Sequence, residues 1–230
     1  MGFESLKKQT LLANQELQRA GLGGLARGSV SLVDREAGVL ALPPSGLLPA
    51  AQGPEDMLVL GLVDFDVREG GGWGPDAMVH THIFLANVFL RVGAVVTFST
   101  PHVTAYAIAS RDLSPYCAVH AEHFLGTVPC ARSQTPNEVA AEFEATLGLT
   151  VLDTFEARGL DYEAVPGALL PGYGAVCWGR DAVEALSNAC ALEESAHSAF
   201  LARQLDASVT PLARDLVEAH YRRARSLAGE

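Results

Sequence analysis

The stretch Gly93 to His102, GAVVTFSTPH, gathers the most chemistry in the fewest residues. Small and β-branched residues make a short buried strand, Thr97, Ser99 and Thr100 follow at its end, and Pro101 opens a helix. Hydroxyls emerging at the carboxyl end of a strand stand where α/β proteins bind ligands. A second place is the turn Pro43-Pro44-Ser45-Gly46, whose hydroxyl and backbone N–H groups could cradle a phosphate or carboxylate, or simply reverse the chain. The loop Glu69-Gly70-Gly71-Gly72-Trp73-Gly74 reads either as a mobile lid or as a flexible connection with a locally packed Trp. His80 and His82 lie two apart on a predicted helix and so point away from each other, which prevents them from sharing a metal there.

Composition narrows the chemistry. Lys7 and Lys8, both on the first predicted helix, are the only lysines beside fourteen arginines. Schiff-base chemistry needs a lysine desolvated in a pocket, so lysine-based covalent catalysis is excluded in practice. The net charge of −11 leaves no basic face for nucleic acid. No apolar run reaches the length of a membrane span and no signal-peptide core is visible, so a cytoplasmic location is expected. Cys117, Cys130, Cys177 and Cys190 never reach a C-x-x-C spacing and read as buried thiols.

The elements that must position these groups follow from periodicity. Residues 4–20 form an amphipathic helix, 28–33 and 38–42 a hairpin, and 57–63 a further strand. A helix is expected over 75–91, then the strand of GAVV, a helix over 101–110 and a strand around 116–120. Thr135-Pro136-Asn137-Glu138 is a capping box opening the helix that carries Glu142 and Glu144. A strand pair over 168–170 and 175–178, a long helix over 181–205 and a last helix over 211–225 complete the chain. With 230 residues, 49% of them apolar, this is one α/β domain, a mixed sheet covered by helices.

Several longer stretches together resemble the class II aldolase, epimerase and adducin superfamily, and within it the L-ribulose-5-phosphate 4-epimerases. They are GSVSLVDREAGVLALPPSG, HFLGTVPCAR, PGALL from Pro166, the end of AVCWG, and His220-Tyr221. The resemblance spans nearly the whole chain. It implies a single class II aldolase-like domain with a central, mostly antiparallel sheet flanked by helices. It also implies a homotetramer with active sites at subunit boundaries, a small-molecule substrate, and a zinc ion held by three histidines as Lewis acid.

The same resemblance places the three zinc-binding histidines at Thr97, Ser99 and Tyr173. Neutral hydroxyls do not replace imidazoles as a zinc set, so no metal or other cofactor is expected in the usual place. The serines that hold phosphate are lost around Asp76, Ser29 replaces an asparagine, Pro43 replaces a lysine, and the C-terminal tyrosine of the epimerase is missing. Glu122 falls at the position of the acid/base aspartate, and Glu144 and His220 match retained residues. Ser45 and Gly46 keep the anion-binding turn. The expectation is a metal-independent acid/base enzyme, of lyase, epimerase, dehydratase or cyclase type, acting on a polar carbonyl or carboxylate substrate. Glu122, His220 and Tyr173 are its candidate catalytic groups, and Arg27, Ser29, Ser45, Gly46, Asp76, Thr97 and Ser99 its binding groups. Two other readings stand beside it: a non-catalytic binding or assembly subunit, and a metalloenzyme with ligands relocated to His80, His82, His102, His220, Asp76 or Glu122.

Overall fold

The computed structural model of the protein describes residues 2–23, 28–70, 72–227 and 229, and of Glu142 only the backbone. Among these residues seven strands make one sheet in the order β4-β3-β2-β1-β5-β7-β6. They are β1 (Ser29–Asp34), β2 (Val39–Leu42), β3 (Leu58–Gly61), β4 (Val67–Glu69), β5 (Ala94–Phe98), β6 (Gly167–Leu170) and β7 (Gly174–Gly179). Every pairing between them is antiparallel, so the mixed sheet read from periodicity is corrected and the mostly antiparallel one is found. Three hairpin-like steps (β1 to β2, β3 to β4, β6 to β7) force alternate directions on the strands they join. Periodicity gives no sign of β4, because its side chains lie at an exposed edge and show no buried alternation.

Among the described residues seven α-helices cover the sheet: α1 (Glu4–Arg19), α2 (Val79–Val88), α3 (Pro101–Ile108), α4 (Ala118–His123), α5 (Pro136–Arg158), α6 (Ala182–Leu205) and α7 (Arg214–Leu227). α2 and α5 pack together, α6 packs on β5 and β7 beside α1 and α3, and α7 lies against α4. None of the described helices is long and apolar enough to cross a membrane. The strand expected around 116–120 is instead α4. Its buried residues are His120 and Ala121, with Phe124 buried just past its end, and five residues are too few to reveal a helical period. The helix expected over 75–91 is shorter, because Pro75 forms an extended bridge to Pro44 and Asp76 begins a turn.

Two contacts fix where α2 and α1 sit. Arg35, at the β1–β2 turn, donates through Nη2 to the carbonyls of Ala86, Phe89 and Val92, at and just beyond the end of α2. Asn14 on α1 is buried, and its Oδ1 accepts from Val30 N–H at 2.9 Å while its Nδ2 donates to Val30 C=O at 2.8 Å. The β1–β2 pairing stops at Leu32↔Ala41, so this amide takes the place of a missing strand neighbour at Val30.

Gly93 is required where β5 begins, since a Cβ there would lie 2.0 Å from the Arg180 carbonyl oxygen. The apolar centre lies between β5, β7, α5 and α6, where Trp178 packs against Phe89 and Phe155 and its Nε1 donates to the Tyr162 carbonyl. Replacing Asn14 by Ala orphans the buried Val30 N–H and C=O, at about 1–3 kcal/mol for each unsatisfied group. A urea midpoint lowered accordingly, with an unchanged slope, is the expected result. An unshifted midpoint would show that water satisfies Val30.

Candidate active site

The cavity that matters opens at the carboxyl end of β5. It measures about 380 Å³ and is lined by Ser29, Asp76, Thr97, Ser99, Glu144 and Tyr173, with Met78, Leu170 and Ala175 among its apolar walls. That volume lies within the roughly 300–1,000 Å³ typical of small-molecule pockets. Each polar wall comes from a different element: β1 gives Ser29, the turn before α2 gives Asp76, β5 and its exit give Thr97 and Ser99, α5 gives Glu144, and the β6–β7 turn gives Tyr173. Tyr173 reaches the end of β5 because Gly174 lets the turn approach so closely. A Cβ at Gly174 would lie 2.3 Å from the Phe98 carbonyl oxygen, and its φ of 138° is itself a glycine conformation.

Behind the cavity wall lies a buried polar cluster that the sequence did not announce. Ser29 pairs across strands with Thr97, and the imidazole of His82 on α2 inserts beneath them. His82 Nδ1 lies 2.7 Å from Ser31 Oγ and its Nε2 lies 3.0 Å from Thr97 Oγ1, while the Ser29 and Thr97 hydroxyls are 3.1 Å apart. Complete burial drives the His82 pKa down to about 3, so the ring is neutral and donates through one nitrogen only. A signal for the cluster exists in retrospect: Ser29 and Ser31 alternate on one face of a strand whose other residues before Asp34 are aliphatic.

Two cavity groups are tuned by their surroundings. Burial pushes the Asp76 carboxyl above the usual carboxylate range, even though its Oδ1 accepts from Met78 N–H at 2.7 Å. Burial, followed by the charge of Glu144, raises the Tyr173 phenol, which therefore stays protonated and available as a donor at neutral pH. The Tyr173 ring stacks on Phe143, with centroids 6.4 Å apart.

Other sequence candidates lie elsewhere. Glu122 on α4 and His220 on α7 do meet, with Oε1 and Nδ1 3.6 Å apart, but neither lines the cavity of their own chain. A single pocket holding Glu122, His220 and Tyr173 is therefore not formed within one chain. His102 is held through Nδ1 by Glu193 Oε1 at 2.7 Å and stacks on His197. Arg27 lies outside the described residues. Ser45 and Gly46 line a smaller neighbouring cavity of about 200 Å³, to which Asp76 also contributes. One donor of the cradle expected at Ser45 is engaged, since its N–H donates to the Gly74 carbonyl at 2.9 Å. That bond also pins the loop read as a possible lid, and Trp73 packs across Gly46.

Zinc does not fit the donors at this site. Thr97, Ser99 and Tyr173 offer only neutral hydroxyls, that of Thr97 is taken up by His82 and Ser29, and the Tyr173 phenol resists ionisation. Among the described residues, no three His, Cys, Asp or Glu side chains are grouped to hold a metal ion, and the relocated-ligand set is dispersed.

Comparison with known proteins accords with this architecture. The family model described as Class II Aldolase and Adducin N-terminal domain matches residues 8–200. The chain is 34% identical over 222 residues to the L-ribulose-5-phosphate 4-epimerase UlaF of Salmonella paratyphi C (strain RKS4594), covering 96% of this chain and 95% of that protein. It is 33% identical over 222 residues to the UlaF protein of Salmonella typhi, with the same coverage. Among solved structures, an L-fuculose 1-phosphate aldolase superposes with a TM-score of 0.81 at 18% identity, covering 98% of both chains. The L-fuculose-1-phosphate aldolase of Thermus thermophilus gives 0.66 at 20% identity, covering 90% of this chain and 98% of that one. At these identities the structural likeness speaks for the fold.

The pKa of His82 carries a consequence for stability. The folded chain binds no proton on this ring until about pH 3, whereas the unfolded chain takes one up near 6.5. Stability is thus complete above the unfolded value and falls on acidification between 6.5 and 3, by up to about 1.4 kcal/mol per pH unit for this group. His120, lowered to about 4 by burial, acts in the same direction. Histidine NMR resonances followed from about pH 8 to about pH 5 should show His82 unmoved and the melting temperature falling. A His82 that titrates near 6.5 would refute the sealed cluster.

Proposed function

Because the chain belongs to the class II aldolase and adducin family, we propose that it is a metal-independent acid/base enzyme of lyase or isomerase type, working in the cavity at the end of β5 on a small polar carbonyl compound. The observation that carries this reading is Asp76: a carboxyl raised by burial, in the same cavity as a protonated phenol and the Ser99 hydroxyl. In this reading the Asp76 carboxylate takes a proton from the carbon beside the carbonyl, and its raised pKa makes it a stronger base than an ordinary carboxylate. The Tyr173 and Ser99 hydroxyls donate to the carbonyl oxygen as negative charge gathers there. Thr97, fixed by His82, holds the wall on which the substrate lies. Carboxylate substrates fit less well, because the described lining of this cavity contains Asp76 and Glu144 and no basic side chain.

The open, polar-lined cavity favours an enzyme over a purely structural relative, for which a filled pocket would be expected. Losing zinc removes several kcal/mol of charge stabilisation, and one well-placed donor restores about 3–4 kcal/mol. The reaction is accordingly an easier one than unassisted carbon–carbon cleavage, such as epimerisation, dehydration or cyclisation. Glu122 and His220 enter this scheme only from a neighbouring copy. A homotetramer with sites at subunit boundaries, as the family resemblance implies, would bring that pair to the cavity as a second proton relay.

The test combines metal analysis with proton exchange. Protein purified without chelator should carry no stoichiometric metal. In D2O it should place solvent deuterium beside the carbonyl of L-ribulose or dihydroxyacetone, read by NMR, at a rate unaffected by EDTA. Asp76→Asn should slow the exchange by about 10²–10⁴-fold and Tyr173→Phe by about 10²-fold, both with unchanged melting temperature. Stoichiometric zinc, with exchange lost on chelation, would refute the proposal. Mixing the slowed Glu122→Gln and Tyr173→Phe chains should restore part of the lost exchange rate if neighbours share a site, and should restore none if each chain works alone.

A further inference from the structure

We infer that the ligand of this cleft carries no phosphate, and that the end of it lodged beside Ser45 and Asp76 is an uncharged, hydroxyl-bearing group. This rests on the acid/base reading above and narrows it to a substrate class: a free polyhydroxy carbonyl compound, in contrast to the sugar phosphates in the names of the relatives.

Donors and charges along the cleft decide the matter. The second cavity is bordered by Gln18, Ser45, Gly46, Leu47, Gln52 and Asp76, among others, and Asp76 also lines the first, so the two lie side by side. A phosphate monoester carries about −1.5 to −2 charges at pH 7 and needs several N–H or cationic donors. Here Pro43 and Pro44 have no N–H to give. The Ser45 N–H is bonded to Gly74 C=O at 2.9 Å, and Gln52 Nε2 donates to Leu47 C=O at 2.8 Å. The nearby Asn14 amide is occupied by Thr10 and Val30. Among the described residues lining either cavity there is no Lys, Arg or His, whereas Asp76 and Glu144 are both present. A dianion would therefore be desolvated against two acids with no cationic side chain of the described lining to offset it. Hydroxyl groups meet the opposite situation. The Asp76 carboxyl accepts from them, while the Ser45 hydroxyl and the Gln18 amide both give and accept. Arg27, which directly precedes the cavity-lining Gly28 in the sequence, is the basic residue of the same chain able to contradict this, so it forms one arm of the test.

The experiment is titration calorimetry of the intact protein with inorganic phosphate and with matched pairs: L-ribulose, D-xylulose and D-fructose against L-ribulose 5-phosphate, D-xylulose 5-phosphate and D-fructose 6-phosphate. At least one free sugar should bind at least tenfold more tightly than its phosphate, inorganic phosphate should give no binding heat, and Asp76→Asn should shrink the gap. A phosphate ester that binds more tightly than its free sugar would overturn the inference, most directly if Arg27→Ala abolishes that binding. Failure of all three free sugars to bind folded protein would overturn it as well. The two readings fail separately. Tight phosphate binding with chelator-insensitive exchange removes only this inference, whereas stoichiometric zinc removes the acid/base reading and leaves the charge preference to be judged by the titrations.

Discussion

The burial of one neutral imidazole governs the arrangement of this molecule's working end. His82 enters the core from α2, and it can do so only because Ser31 and Thr97 face it from neighbouring strands with hydroxyls at hydrogen-bonding distance. An unpaired polar group in that position would cost several kcal/mol, so β1, β5 and α2 are bound into one unit by the need to satisfy it. The same bonds commit the Thr97 hydroxyl to the protein interior. A residue that faces the cavity thus contributes shape and fixed polarity to it, and has little left to offer a metal ion.

Backbone proximity supplies the second constraint. Gly93 lets the chain pass the Arg180 carbonyl at the start of β5, and Gly174 lets the β6–β7 turn press on its end. Any side chain at either glycine would push the elements apart. The effect at Gly174 would be felt directly in the distance between Tyr173 and Ser99, the pair on which the proposed stabilisation of a carbonyl oxygen depends. Precision at this site is therefore set by steric closeness at a glycine as much as by hydrogen bonds.

Most of the helices and the hairpins were legible because their signals are local. The Thr135–Glu138 capping box does open α5, and Asp181 does cap α6 through the Glu184 N–H. The failures come from signals that are not local. α4 is too short to display a period, β4 pairs only at an edge, and the direction of strand pairing depends on which connections cross the sheet. The site divides in the same way. Thr97, Ser99, Tyr173, Ser29 and Asp76 do share a cavity, and Glu122 does meet His220, but no property of a single sequence reveals that these two groups are separated within one chain. Nor could Pro43-Pro44-Ser45-Gly46 reveal that the Ser45 N–H is already bonded to Gly74, since that bond links residues far apart along the chain.

Electrostatics ties the proposed loss of zinc to the proposed loss of phosphate. A divalent cation offsets nearby carboxylates and the charge of an anionic substrate together, and a lysine near the distal end adds to the same balance. In the proposed reading hydroxyls stand where the cation's ligands would be and Pro43 where the lysine would be, so Asp76 and Glu144 lack that offset, and a phosphate dianion would deepen the imbalance. Two adjustments restore it. Burial raises the Asp76 pKa and so favours its neutral form, and in the proposed reading the substrate brings no charge of its own. In that reading the charge in the cavity is limited to its own carboxyls, and one carboxyl and one phenol pass protons to and from an uncharged carbonyl compound.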